Sequence, residues 1–303
     1  MESEAQLLSD FEKVVGVAPR QGVLGRVLTT FCIGGPIRFL VDLQTPEQVQ
    51  ACVAFLKAHA LDYQVLGAGS NLLIPDTGVA GWVLRPGTGL RYLKHWSDGV
   101  FEAGAGLPIM TLSRKLCAAG CAGLEFAGGI PGSVGGAVRM NAGAHGSEIA
   151  QVLRAVHLIN DDGRRYSLKA EEIQFGYRSS NLPQGAFVLS AVFRTVKTDP
   201  TATQARRAAF LAERRLKQPL EYASAGSFFR NPSPQQSAGL LIEKAGLKGH
   251  RIGGAQISVK HANWIINPEK KASCAEVTTL MQLCQKRVQE LFSLELIPEV
   301  VRW

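Results

Sequence analysis

The clearest periodic signals along the chain are helical. Val49, Cys52, Val53 and Leu56 follow Thr45-Pro46 at helical spacing, so a capping threonine and a first-turn proline predict a helix there. Near the other end, Ser273 and Glu276 form a capping box ahead of Val277, Leu280, Met281, Cys284, Val288 and Leu291, predicting a helix with one apolar face. Residues 108–119 and the charged stretch 203–217 read as two more helices. The short apolar runs 63–66 and 82–84, bounded by glycines, and the alternation along 187–194 predict strands. No repeat with a period of roughly 20 to 50 residues is present, which argues against solenoids and propellers.

With 303 residues, 46% of them apolar, the chain can build two or three lobes with shared cores. Its character changes at Asp199-Pro200, which predicts a domain boundary near residue 200. Residues 1–10 are acidic and lack an apolar core, and no apolar run is long enough to span a bilayer, so the expectation is a cytoplasmic protein without membrane insertion. The net charge of +8 is spread along the chain. Its densest cluster, Arg206, Arg207, Arg214, Arg215 and Lys217, reads as the solvated face of the predicted helix. A basic nucleic-acid-binding protein is the alternative from another class, and it lacks supporting motifs. Six scattered cysteines form no C-x-x-C pair and no cysteine-histidine cluster, so buried reduced thiols are expected and no metal site; Cys117 and Cys121, one helical turn apart, are expected to share an apolar face.

Glycine changes this picture, because its 32 residues are concentrated in particular loops. Gly67-Ala68-Gly69-Ser70-Asn71 follows a predicted strand, and its small residues let consecutive N–H groups turn towards a pyrophosphate. It is not the Rossmann fingerprint, since Leu72 stands where the last glycine belongs and residues 72–75 do not open a helix. A second loop, Gly128-Gly129-Ile130-Pro131-Gly132-Ser133-Val134-Gly135-Gly136, holds five glycines in nine residues. Close approach of a flat or phosphorylated ligand explains that density, and tight strand packing is the alternative.

Read together, the two loops resemble the flavin domain of vanillyl-alcohol oxidase-type enzymes. The fuller pattern is more specific. Thr30-Phe31-x-Ile33-Gly34-Gly35-Pro36, Leu66-Gly67-x-Gly69-Ser70-Asn71, residues 123–137, Met140-Asn141-Ala142-Gly143-Ala144, Tyr177-Arg178-x-Ser180, Gly226-Ser227-Phe228-Phe229-x-Asn231-Pro232, Gly249-His250-Arg251-Ile252-Gly253-Gly254 and Pro298-Glu299-Val300 occur in one order. That ordered set resembles the UDP-N-acetylenolpyruvoylglucosamine reductases. The resemblance implies an α+β fold, with a two-lobed PCMH-type FAD-binding domain (residues 1–80 and 81–199) followed by a smaller α+β substrate-binding domain (200–303). It implies non-covalent FAD, NADPH as electron donor, and reduction of the enolpyruvyl ether of UDP-N-acetylglucosamine to a lactyl ether. Gly67, Ala68, Gly69, Ser70, Asn71, Gly128, Gly129, Ile130, Pro131, Gly132, Ser133 and Gly136 would hold the cofactor. Only residues 181–185 separate Tyr177-Arg178 from the next predicted strand, so the chain resembles the type lacking an inserted tyrosine-bearing loop. Cys32, Arg139 and His145 depart from the usual residues at their positions. A sugar or hydroxy-acid oxidase of the same superfamily, with covalent flavin, is the rival among enzymes.

The chemistry implied is hydride addition to the terminal carbon of a C=C bond next to a carboxylate. Charge then develops on that carboxylate as an enolate, and a guanidinium with two parallel donors stabilises it most when the charge is greatest. Arg178 matches the family's position for this role. The adjacent carbon needs a proton, and Ser227 matches the family's donor; a serine is a weak acid, but a strongly basic enolate in a water-excluded site narrows the mismatch. Glu299 matches the third catalytic position, either orienting Arg178 or sharing a proton with the substrate. Tyr177, Lys217, Asn231 and His261 are candidates for the substrate's diphosphate and carboxylate ends.

Overall fold

The computed structural model describes residues 3–233 and 235–303. Contacts divide the chain into two compact units. The first holds the residues up to Gln21, Phe39–Ala68 and Gly81–Ala212, and the second holds Gly22–Arg38, Gly69–Ala80 and Glu213–Trp303.

In the first unit the sequence signals become elements where they were read. Thr45 Oγ1 accepts the Gln48 N–H at 3.2 Å, and the helix Pro46–Ala58 buries Val49, Cys52, Val53, Phe55 and Leu56. That face and Phe11 and Val15 of the helix Glu4–Val15 share one core with Phe39, Val41, Leu43, Trp82 and Leu84. Tyr63–Val65 pairs in parallel with residues 82–84 of the strand Val79–Pro86. A five-stranded antiparallel sheet follows, in the order Arg165–Lys169, Leu153–Ile159, Phe187–Arg194, Val100–Gly104 and Leu93–Ser97. Its middle strand is buried over seven of eight residues, so both faces of it need apolar side chains. Val188, Ala191 and Phe193 pack with Leu112 and Leu116 of the helix Ile109–Ala118 and with Val134, Ala137 and Val138 of the helix Val134–Arg139.

Cys117 and Cys121 do not share a helix face, contrary to expectation. The helix ends at Ala118 because Gly120 turns the chain at φ 69°, where a Cβ would meet Thr198 O at 2.5 Å, and Cys121 begins the short strand Cys121–Ala122. Both thiols are nonetheless buried, and all six cysteines are free of disulfides.

The second unit is a four-stranded antiparallel sheet in the order Ala223–Ser227, Trp264–Asn267, Ala255–Ile257 and Arg251–Ile252, sharing a core with the helices Ala238–Lys244 and Cys274–Phe292. Both halves of the Ser273 capping box form, and the Asp76 carboxylate accepts from Cys274 and Ala275 N–H at 2.8 and 3.1 Å. Val277, Leu280, Met281, Cys284 and Val288 are buried as predicted, whereas Leu291, in the last turn, is 49% exposed. Thr30 and Ser224 exchange bonds, with Ser224 N donating to Thr30 O at 3.2 Å and Thr30 Oγ1 to Ser224 O at 2.8 Å. Val301–Arg302 pairs in parallel with Leu72–Leu73. These non-local pairings draw residues 22–38 and 69–80 into the same unit as 213–303. The composition change near residue 200 marks the start of the helix Pro200–Lys217, capped by the Asp199 carboxylate, and the division between units falls later, after Ala212. Among the described residues no helix is long and apolar enough to cross a membrane.

Candidate active site

The two glycine loops meet inside the first unit at Gly67. Ser133 caps the helix Val134–Arg139 by accepting from Gly136 N–H at 3.3 Å, and an ideal Cβ on Gly67 would stand 2.7 Å from that Ser133 oxygen. A Cβ on Gly128 would come within 2.8 Å of Arg207 Cγ and Nε, and one on Gly135 within 3.1 Å of Ala105 Cβ. Gly69, in the second unit, takes φ 63°, and its Cβ would meet Leu28 O at 2.3 Å. Close packing of the chain on itself therefore demands glycine at 69, where a backbone oxygen stands in the way at positive φ, and crowds a side chain at 67, 128 and 135, whatever else the loops do. The Nε of Arg207, beside Gly128, is buried and has no hydrogen-bond partner among the described residues, which leaves a cationic donor unspent next to the glycine loop. Loops of this kind with a spare guanidinium donor fit the phosphates of a dinucleotide such as FAD. Asn71, by contrast, is engaged within the second unit: its Nδ2 donates to Glu299 O at 3.0 Å, and its carbonyl accepts from Val301 N at 3.1 Å.

Tyr177 and Arg178 form the two-residue turn of a hairpin between Phe175–Gly176 and Ser179–Ser180. Arg178 sits at φ 55°, a left-handed conformation that non-glycine residues seldom adopt. Its Nη2 donates to Gly143 O at 2.7 Å, and its guanidinium carbon lies 5.0 Å from the centroid of the Tyr177 ring. Gly143 belongs to a second hairpin, Gly143–Ala144 with Ser147–Glu148, whose turn residues His145 and Gly146 have φ of 53° and 76°. The His145 ring stacks on Phe210 with centroids 4.2 Å apart. Arg139 is committed to the chain: its guanidinium donates to the carbonyls of Leu182, Pro183 and Ala186, the last at 2.6 Å, and burial lowers its pKa below the ordinary arginine value. Residues 182–186, held in this way, lead straight into the strand Phe187–Arg194, with no inserted loop.

In the second unit Ser227 ends its strand opposite Trp264, after an irregularity at which Gly226 takes φ 81°. Such a bulge re-aims the side chain that follows it. The next residues run beside 297–299: Glu299 N donates to Phe228 O at 2.8 Å, and Arg230 N to Ile297 O at 2.9 Å. Ser227 and Glu299 are thus brought into one neighbourhood. Asn263, which no sequence signal singled out, holds this segment from the other side. Phe229 N donates to its Oδ1 at 3.0 Å, and its Nδ2 donates to Phe229 O at 2.8 Å, all out of solvent. Removing it strands a buried N–H and a buried C=O together. We expect Asn263→Ala to cost about 2–4 kcal/mol in denaturant unfolding; a loss below about 0.5 kcal/mol would mean the segment needs no such clamp.

Asn231 Oδ1 accepts from Ala238 N at 3.1 Å at the start of its helix, and Lys217 is exposed in an ion pair with Glu213 at 2.6 Å. His261 accepts the Asn263 N–H on Nδ1 at 3.3 Å, and burial pushes its pKa below the ordinary histidine value, so the ring is neutral near pH 7. Arg251 is spent on Gly253 O at 2.8 Å and on Glu269 at 2.7 Å.

The arginine cluster is not uniformly solvated, which corrects the reading from sequence. Arg206, Arg215 and Lys217 are exposed, but Arg207 and Arg214 are half-buried. Their spacing of two helical turns puts them on one face, with Thr203 and Phe210. Among the described residues, Arg214 Nε and Gln218 Oε1 are buried without partners, as are Arg230 Nε and Trp264 Nε1, and burial lowers the Arg214 pKa. Each of these four lies close in sequence to Lys217 or Ser227, or opposite Ser227 in the sheet. The three donors among them, Arg214 Nε, Arg230 Nε and Trp264 Nε1, suit a polyanionic ligand, whereas the Gln218 oxygen can only accept.

The fold and these sites define a flavin-binding protein: residues 37–169 match the FAD binding domain. Residues 218–303 match the C-terminal domain of UDP-N-acetylenolpyruvoylglucosamine reductase. The chain is 39% identical over 302 residues to the UDP-N-acetylenolpyruvoylglucosamine reductase of Bacillus velezensis, covering 99% of this chain and 98% of that one. It is 42% identical to the enzyme of the same name from a Synechococcus strain, over 90% of each chain. The crystal structure of UDP-N-acetylenolpyruvylglucosamine reductase from Thermus caldophilus matches with a TM-score of 0.80 at 36% identity, covering 94% of this chain and 99% of that one. The chain belongs to the UDP-N-acetylenolpyruvoylglucosamine reductase family.

Proposed function

We propose that the protein reduces UDP-N-acetylglucosamine enolpyruvate to UDP-N-acetylmuramate for peptidoglycan synthesis, in the cytoplasm, with NADPH as electron donor. The observation that carries this reading is likeness to relatives of that name along nearly the whole length of both chains. Bound FAD would pass the hydride of NADPH to the terminal carbon of the enolpyruvyl double bond. Gly67, Gly69, the loop 128–136 and Arg207 would hold it.

The chain's own residues do the rest. Arg178 receives the substrate carboxylate and stabilises the charge that grows there as the double bond is attacked. Ser227 gives its proton to the adjacent carbon, which closes the balance: one hydride and one proton added across the bond. Glu299 shares a proton with the substrate. Tyr177, Lys217, Asn231 and His261 hold the substrate's anionic ends, and the unspent donors of Arg214, Arg230 and Trp264 serve the same anionic groups.

Heating the purified protein tests the cofactor half of this reading. FAD should leave the denatured chain, and NADPH consumption by the native protein should require the enolpyruvyl substrate. Flavin retained on denatured protein, with oxygen rather than substrate restoring its colour rapidly, would instead identify an oxidase of the same superfamily.

A further inference from the structure

We infer that Asn141 is the positioning residue for Arg178. The inference rests on the role proposed for Arg178 and assigns a task to a motif residue that no step of the reaction uses. Asn141 is fully buried, at φ 41°, just after the helix Val134–Arg139. Both ends of its side chain are spent: Nδ2 donates to Gly176 O at 3.0 Å, and Oδ1 accepts from Ala150 N at 3.0 Å. Gly176 is the last residue of the hairpin arm that leads into Tyr177-Arg178.

The same short segment grips the hairpin at two more places. Ser180 Oγ, on the returning arm, donates to Arg139 O at 2.7 Å, and Arg178 Nη2 donates to Gly143 O. A left-handed, non-glycine turn residue persists only where its surroundings fix it. Of the three grips only the Asn141 bonds come from a wholly buried side chain, and it ties the hairpin arm to the backbone at residue 150. Asn141 thereby fixes where the guanidinium stands, without touching substrate.

Two variants of the holoenzyme test this. Asn141→Asp keeps the acceptor for Ala150 N and turns a carboxylate oxygen towards Gly176 O. Asn141→Gly keeps the left-handed backbone and deletes both bonds. A displacement of about 1 Å at a reacting group costs on the order of 100-fold. Both variants should therefore slow reoxidation of the reduced flavin by substrate by about 30- to 100-fold. Bleaching by NADPH should stay within about threefold of the parent, as a general loss of fold would not allow. Amide exchange in the peptide covering 174–181 should accelerate, while that of 187–194 does not change. In an Arg178→Lys background Asn141→Asp should add less than about threefold, because the two act on one interaction. Parental reoxidation rates, unchanged exchange at the hairpin, or a full further loss in the Arg178→Lys background would overturn the inference. A parent enzyme inert to the enolpyruvyl substrate would defeat the functional reading instead, and the exchange measurement would still decide whether Asn141 holds the hairpin.

Discussion

Arg178→Lys should slow the reduction of the enolpyruvyl substrate by about 10³-fold while leaving bleaching by NADPH within a few-fold of the parent rate. A lysine retains the positive charge, so the size of the loss separates charge from geometry. The guanidinium offers a planar fork of two parallel donors to a carboxylate, whereas an ammonium offers one point of contact, and the difference is greatest where the carboxylate gathers charge. Backbone strain does not confuse the comparison. Arg178 stands at φ 55°, and a lysine bears the same backbone cost there, since both side chains are unbranched at Cβ. The existing bond from Nη2 to Gly143 O also shows that one donor is committed to the chain at this position. A lysine has to choose between holding that carbonyl and meeting the substrate. Near-parental single-turnover rates in stopped flow would remove Arg178 from the reaction.

Ser227→Ala should give the second large effect, with reoxidation of the flavin slowed by about 10²- to 10⁴-fold, as loss of a positioned general acid does. NADPH should still bleach the flavin. The substitution deletes one oxygen and leaves the backbone pairing of Ser227 with Trp264, and the Asn263 clamp on Phe229, in place. Stability should consequently change by less than about 1 kcal/mol. That separates it from Asn263→Ala, for which the expected loss lies in stability. Equal slowing of both half-reactions by Ser227→Ala would argue against a proton donor, since only the substrate-side step needs the proton.

Signals confined to a few consecutive residues were legible in the chain. The Thr45-Pro46 start and the Ser273 capping box each carry their reason locally, in a cap, and Phe187–Arg194 is the strand expected, although its burial on both faces departs from the alternation read there. The catalytic candidates were legible only through their motifs. Nothing in periodicity marks Arg178 as a turn residue at positive φ, or Ser227 as the residue after a bulge. What stayed hidden depends on partners far away in sequence. Asn263 looks like an ordinary polar residue until Phe229 lies beside it. Arg207 and Arg214 read as solvated because helical charge usually is, and their burial follows from what packs against that face. The glycines at 67 and 128 announce tight approach, but only the fold shows that Ser133 and Arg207 are what approaches. The second unit is assembled from three separate stretches of chain through pairings such as Leu72–Leu73 with Val301–Arg302, which no local composition change announces.

Anaerobic stopped flow on the purified holoenzyme tests the central claim most directly. NADPH should bleach the bound flavin, and a stoichiometric addition of UDP-N-acetylglucosamine enolpyruvate should then restore its colour within one turnover and yield one equivalent of the lactyl product. A flavin that stays reduced when the enolpyruvyl substrate is added, and regains colour only on admission of oxygen, would contradict the account.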